Sequence, residues 1–259
     1  MLFLGVSARV RRRLLSARRI AGRINEIFYR STLPPHLADV ARRVRGSGLT
    51  YLSSAKLDKL GHALLRVEKD AVPGAVIETG CALGGSAILL AATKARARKL
   101  RVCDVFGMIP PPSDKDDQDV HDRYDVISSG KSRGLKGQRY YGYETDLFER
   151  VRGNFERFGF SPPEDHGIEM LAGLVQDTLV VDEPVSLAHI DVDWYDPVMT
   201  SLERIAPHLS PGGVIVLDDY FDWSGCRKAT DDFLARTTIP LRKDPSAGSL
   251  ALIRDDVRP

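Results

Sequence analysis

From Ala71 onward, short apolar runs of β-forming residues alternate with segments of helical periodicity, and this alternation constrains the fold more than any other feature of the chain. Strands separated by helices line up in parallel, with the helices covering both faces of the sheet. The pattern predicts strands at Ala75 to Thr79, Arg101 to Phe106, Ile168 to Ala172, Ser186 to Val192 and Gly213 to Leu217. Helices are predicted near Gly85 to Arg96, Glu144 to Phe158, Pro197 to His208 and Arg227 to Arg236. The tail IPLRKDPSAGSLALIRD differs: two short β-type runs around Pro-Ser-Ala-Gly predict a hairpin, so that a mostly parallel α/β sheet ends on a reversed strand.

Two segments stand outside the pattern. The first thirty residues carry eight arginines and one acid, with apolar residues at roughly helical spacing. They read as a basic amphipathic helix, either lying on an anionic membrane surface or packed as an arm on the domain or on a second subunit. A homodimer is the expected assembly. The apolar stretch Leu2 to Val6 precedes the charges instead of following them, which is the wrong order for a signal peptide. The second segment, 107–143, is rich in proline, glycine and charge, and connections of this length are usually lids, binding loops or solvated insertions. The division that follows is a helical arm or cap over 1–70 and one α/β domain over 71–259 that carries a lid near 107–143.

Bulk properties exclude several classes. A net charge of +2 from 37 basic and 35 acidic residues argues against a nucleic-acid binder. No apolar run is long enough to cross a bilayer. Three cysteines, Cys81, Cys103 and Cys226, are an odd number without paired spacing, so neither a disulfide framework nor a zinc site is expected, and a cytoplasmic home fits.

The first predicted strand runs through Glu78-Thr79-Gly80-Cys81-Ala82-Leu83-Gly84-Gly85-Ser86 into an apolar helix. Such a loop lies at the carboxyl edge of the sheet, where α/β folds bind cofactors. Ala82 stands where a dinucleotide fingerprint needs its middle glycine, which disfavours NAD. Glu78 instead suits the cationic methionine end of S-adenosylmethionine, and Asp104 at the end of the second strand can accept both ribose hydroxyls. The next two strand ends carry His189-Ile190-Asp191-Val192-Asp193-Trp194 and Leu217-Asp218-Asp219-Tyr220. A parallel sheet brings Asp191, Asp193, Asp218 and Asp219 to one crevice. Each aspartate alone reads as a turn or cap acid, but four together must take up protons or bind a cation. An all-oxygen set suits magnesium, manganese or calcium over zinc.

At these residues the chain resembles the macrocin O-methyltransferase family, whose members tailor antibiotic sugars. The matching stretches are VIETGCALGGSAILL, RVCDVFG, VRGNFERFGF, LAGLVQDTL, HIDVDWYDPVMTSLERIAPHLSPGGVIVLDDY and GCRKATDDF, in the family's order over most of Ala75 to Phe233. The resemblance implies a class I methyltransferase, Rossmann-like sheet with S-adenosylmethionine as methyl donor and Mg2+, or Mn2+, on three carboxylates. It carries the metal ligands to Asp191, Asp218 and Asp219 and the general base to Asp193. Glu78, Gly80, Ser86 and Asp104 match cofactor-binding positions, and Asp177 in QDTL is expected near the adenine. TYLSSAKLDKL resembles an element lying over the cofactor, which adds Tyr51 and Ser53. The implied acceptor is a sugar or glycoside hydroxyl, with a methylated mannoside among the candidates.

The long loop and the arginine-rich arm depart from the antibiotic-sugar enzymes and leave the acceptor open. His121 and His166 are rival bases if a lid carries them inward, whereas His189 reads as a packed core histidine. Trp194 and Trp223 would form the stacking slot of a catechol-type enzyme, the alternative metal-dependent reading. A non-catalytic S-adenosylmethionine-binding protein held at membranes by its arm is the alternative outside enzymes.

Overall fold

A computed structural model describes residues 29–255. The basic amphipathic helix expected over the first thirty residues lies almost wholly outside the described residues.

Among the described residues, seven strands form one sheet in the order β3-β2-β1-β4-β5-β7-β6. They are β1 (Ala75–Thr79), β2 (Leu100–Asp104), β3 (Ile168–Ala172), β4 (Val185–Ile190), β5 (Leu209–Leu217), β6 (Leu241–Ser246) and β7 (Ser249–Arg254). The first five pair in parallel, and β7 runs antiparallel between β5 and β6. The predicted strands and terminal hairpin are present, and the reversed strand is inserted beside β5 with β6 at the edge. β1 and β4 are buried along their whole length, as parallel strands covered on both faces must be.

The helices are α1 (Pro35–Gly46), α2 (Ser54–Lys69), α3 (Gly85–Thr93), α4 (Gln118–Ser128), α5 (Leu147–Arg157), α6 (Val175–Thr178), α7 (Tyr195–Ile205) and α8 (Ser224–Arg236). One hydrophobic cluster packs Leu37, Leu60, Leu64, Ile88 and Phe155 of α1, α2, α3 and α5 against Val76 and Val102 of the sheet. A second packs Val198, Leu202 and Phe233 of α7 and α8 against Ile77, Ile190 and Ile215 on the opposite face. Alternate residues of one strand, Val76 and Ile77, therefore serve the two cores.

Local chemistry sets the helix starts near the site. The side chain of Ser53 accepts the Lys56 amide at 3.2 Å and caps α2. The starts of α7 and α8 are satisfied from outside: Asp116 accepts the Tyr195 amide at 2.8 Å, and Asp119 accepts the Ser224 amide at 3.1 Å. Both acids come from the long insertion, which is thereby pinned over the carboxyl edge of the sheet. The insertion also contains α4, where the sequence showed only loop. Its apolar contribution to the core is Val120 and Ile127, two helical turns apart and surrounded by charges, so the periodic signal was faint.

Candidate active site

The strand ends fix the site. Backbone bonds continue the ladder past the strands, from the Asp191 amide to Thr79 O at 2.9 Å, the Asp218 amide to Ile190 O at 3.0 Å and the Gly80 amide to Cys103 O at 2.8 Å. The ends of β1, β2, β4 and β5 are thereby held on one line. A cavity of about 770 Å³ opens there, lined by Gly80, Ala82 and Asp104 and by Asp191, Asp193, Asp218 and Asp219. This size suits a small-molecule site.

Gly80 is required by a close approach. A Cβ there would stand 2.0 Å from Asp191 O, and its φ of +82° is a left-handed conformation. Asp104 holds the rest of the loop: one oxygen accepts the amides of Cys81 at 2.7 Å and Ala82 at 3.2 Å, and the other accepts that of Phe106 at 2.8 Å. Burial raises the Asp104 pKa although these three donors favour the anion.

Asp191, Asp218 and Asp219 each place a carboxylate oxygen within 4.8 Å of the others. At that separation a pair of anions repels by roughly 3–4 kcal/mol at an effective dielectric of 20. Removal from water and the neighbouring Asp218 push Asp191 up to about 8. Burial, followed by Asp193, Asp191 and Asp218, raises Asp219 far above the carboxylate range. Asp219 Oδ2 is buried without a hydrogen-bond partner. Three converging carboxylates, one with an orphaned oxygen, fit a hard divalent cation.

Asp193 stands apart by its backbone. Its φ is +57°, in a tight turn where the Trp194 amide donates to Val192 O at 2.6 Å. A non-glycine residue held there marks a position that the surroundings over-determine. Burial raises its pKa as well.

Not every expected residue reaches the cavity. Glu78 is fully buried in β1 and faces its register partner His189 on β4, with Oε1 2.7 Å from Nδ1. Burial alone would lower the His189 pKa, but the bond to Glu78 outweighs it and holds the ring at about 9. Glu78 Oε2 and His189 Nε2 have no partner. Ser86 is buried in α3, Ser53 caps α2, and Asp177 is exposed on α6, where its neighbour Gln176 lines the cavity instead. Tyr51 does line it, edge-on to Tyr141 at 5.8 Å. His121 and His166 do not line the cavity. His166 lies before β3, beyond the amino ends of the strands and edge-on to Phe160. Trp194 and Trp223 both line the cavity, edge-to-face at 6.0 Å, with the Trp194 indole donating to Pro110 O at 3.0 Å.

Several charged cavity residues were not singled out by the sequence, among them Lys56, Asp116, Arg123 and Asp222. Lys56 Nζ donates to Asp218 Oδ2 at 2.9 Å and to Asp222 Oδ2 at 2.7 Å. Burial works against its charge, yet Asp218 more than offsets this and the pKa rises. Asp116 and Arg123 enter from the insertion. Lys56 follows the capping Ser53 by three residues within TYLSSAKLDKL, so that stretch held the one available signal.

A sheet of this order with its loops gathered at the carboxyl edge is the class I methyltransferase fold. The family model described as Macrocin-O-methyltransferase (TylF) matches residues 34–243, and the chain belongs to that family: it is an S-adenosylmethionine-dependent O-methyltransferase. It is 32% identical over 196 residues to 8-demethyl-8-(2,3-dimethoxy-alpha-L-rhamnosyl)-tetracenomycin-C 4'-O-methyltransferase of Streptomyces olivaceus, spanning 73% of this chain and 69% of that protein. It is 28% identical to Mycinamicin III 3''-O-methyltransferase of Micromonospora griseorubida over 73% of this chain and 72% of that protein. Among solved structures, the O-methyltransferase NovP superposes with a TM-score of 0.68 at 21% identity, covering 85% of this chain and 98% of that one. Among the described residues no helix is long and apolar enough to cross a membrane.

Proposed function

We propose that the chain methylates a sugar hydroxyl and that a divalent cation held by Asp191, Asp218 and Asp219 takes part. The observation that carries this reading is the convergence of those three carboxylates, with Asp219 Oδ2 orphaned, in the cavity that the loop of Gly80 and Asp104 also lines. The curated relatives named above act on sugar-bearing antibiotics, which supports a sugar acceptor. A sugar hydroxyl is a poor nucleophile at neutral pH, and a bound cation supplies Lewis acidity that lowers a hydroxyl pKa and fixes its approach. The hydroxyl oxygen attacks the methyl carbon in line as S-adenosylhomocysteine leaves, and Asp193 accepts the hydroxyl proton.

Asp104 faces the cofactor ribose in this arrangement, and the unpaired Oε2 of Glu78 lies beneath the methionine end. Gly80 admits the cofactor backbone-close, Tyr51 covers it, and Ser53 and Ser86 support the elements that enclose it. Gln176 and Asp177 stand at the adenine side. The insertion over 107–143 serves as the lid of the α/β domain, and the described part of the segment before that domain, 29–70, as the cap. A panel of rhamnosides and mannosides, methylated mannosides included, tested beside catechol with radiolabelled methyl donor separates the acceptors. Labelling of glycosides with catechol untouched is the expected outcome; labelling of catechol alone overturns the sugar assignment.

A further inference from the structure

None of the residues proposed above for methyl transfer comes from the basic stretch of the insertion. Residues 131–139 hold Lys131, Arg133, Lys136 and Arg139 and no acid. Arg133 and Arg139 face each other across an isolated antiparallel bridge, which puts both side chains on one side of the ribbon. Like charges directly opposite destabilise such a pair. Among the described residues neither guanidinium has a carboxylate partner. The stretch is nonetheless fastened: Lys136 donates to Gly46 O, and the Tyr143 hydroxyl accepts the Ser132 amide at 3.0 Å and donates to Ile127 O at 2.6 Å.

Both arginines line an open groove of about 610 Å³ together with Ser132, Tyr140 and Glu144. Glu144, the one acid in that lining, is committed to Arg150. Ser132 is only 8% exposed, and its Oγ has no hydrogen-bond partner. Tyr140 belongs to this groove and to the active-site cavity alike, and the Arg123 guanidinium lies 5.7 Å from its ring centroid. The groove and the active-site cavity thus adjoin across the buried Tyr140, so a phosphate carried by a sugar at Asp193 has the two guanidinium groups that lack a carboxylate partner as its nearest basic pair beyond that ring. Planar forks of this kind match phosphate oxygens.

We infer that the groove binds a phosphate or diphosphate carried by the sugar acceptor, with Arg133 and Arg139 as its principal contacts and Ser132 Oγ as a further donor. This rests on the sugar O-methyltransferase reading and narrows its substrate class to phosphorylated glycosides.

Titrating the metal-free protein calorimetrically with inorganic pyrophosphate tests it, since without metal the acid cluster repels the anion instead of bridging it. Saturable binding is expected, weakened by about tenfold or more in Arg133→Ala or Arg139→Ala and abolished in the double variant. Arg139→Lys, which keeps the charge but not the fork, should fall between. S-adenosylhomocysteine affinity should stay at the parent value in all of these variants, which also reports that they are folded. Thymidine diphosphate and farnesyl diphosphate serve as separate arms: tighter binding of one identifies a nucleotide or a lipid carrier, and equal binding means that only the phosphates are read. Absence of pyrophosphate binding by the parent, or equal binding by the double variant, overturns the groove assignment alone. Failure of the parent to bind S-adenosylhomocysteine overturns the methyltransferase reading instead.

Discussion

Four aspartates line the cavity, but their surroundings assign them different work, and isosteric amides separate them. Asp193→Asn should lower kcat by about 10²- to 10⁴-fold, the usual loss on removing a general base, while metal and cofactor affinities stay at the parent values. Extra magnesium should not restore it. Asp218→Asn and Asp219→Asn should weaken metal binding and recover activity at high magnesium, which titration of metal against initial rate reads directly. If Asp193→Asn turns over like the parent, the proton goes elsewhere. Gly80→Ala tests the backbone instead: with a Cβ 2.0 Å from Asp191 O at φ +82°, the turn must move. A loss of stability on the order of 1–3 kcal/mol is expected from forcing such a conformation, seen as a lower Tm together with weaker metal binding. The aspartates were legible in the sequence because they follow the ends of two neighbouring strands, and strand ends of a parallel sheet share an edge. Lys56, Asp116 and Arg123 were not, because they reach that edge from a cap helix and an insertion whose placement is set by tertiary packing.

At the scale of elements, Asp104 ties down the loop after β1, and Asp116 and Asp119 tie down the insertion. Asp104 gathers three backbone donors from two loops, so Asp104→Ala should both lower the Tm and weaken S-adenosylhomocysteine binding, with Mn2+ affinity unchanged. An unchanged cofactor affinity would remove Asp104 from the cofactor site. Asp116 spans from the insertion to the start of α7, and Gly225 lets α8 come close, since a Cβ there would lie 2.2 Å from Asp116 Oδ1. Asp116→Ala should cost about 1–2 kcal/mol, as the loss of a helix cap does, and raise the acceptor KM more than it weakens cofactor binding. Equal effects on both would deny the insertion its work as a lid. The strands were readable because buried parallel strands are nearly continuous apolar runs. Their edges shifted, as at β5, which begins at Leu209 because its pairing with Val185 precedes the Pro211-Gly212-Gly213 irregularity. Helix α4 was not readable, since two buried apolar residues in eleven leave little period to detect.

Over the whole molecule, the two cores bury all three cysteines, and burial raises each thiol pKa, that of Cys103 to about 12. The native protein should therefore react slowly with a thiol reagent, and three thiols should appear on unfolding; fewer would indicate a disulfide. The sheet separates the two cores, and the chemistry proposed for its carboxyl edge depends on a cluster of like charges being neutralised by a cation. The most direct test is the initial rate of methyl transfer from S-adenosylmethionine to the best glycoside acceptor, measured against free magnesium from excess chelator upward. No transfer in chelator and saturable recovery with magnesium is the predicted result; full activity in chelator would contradict the metal site on Asp191, Asp218 and Asp219.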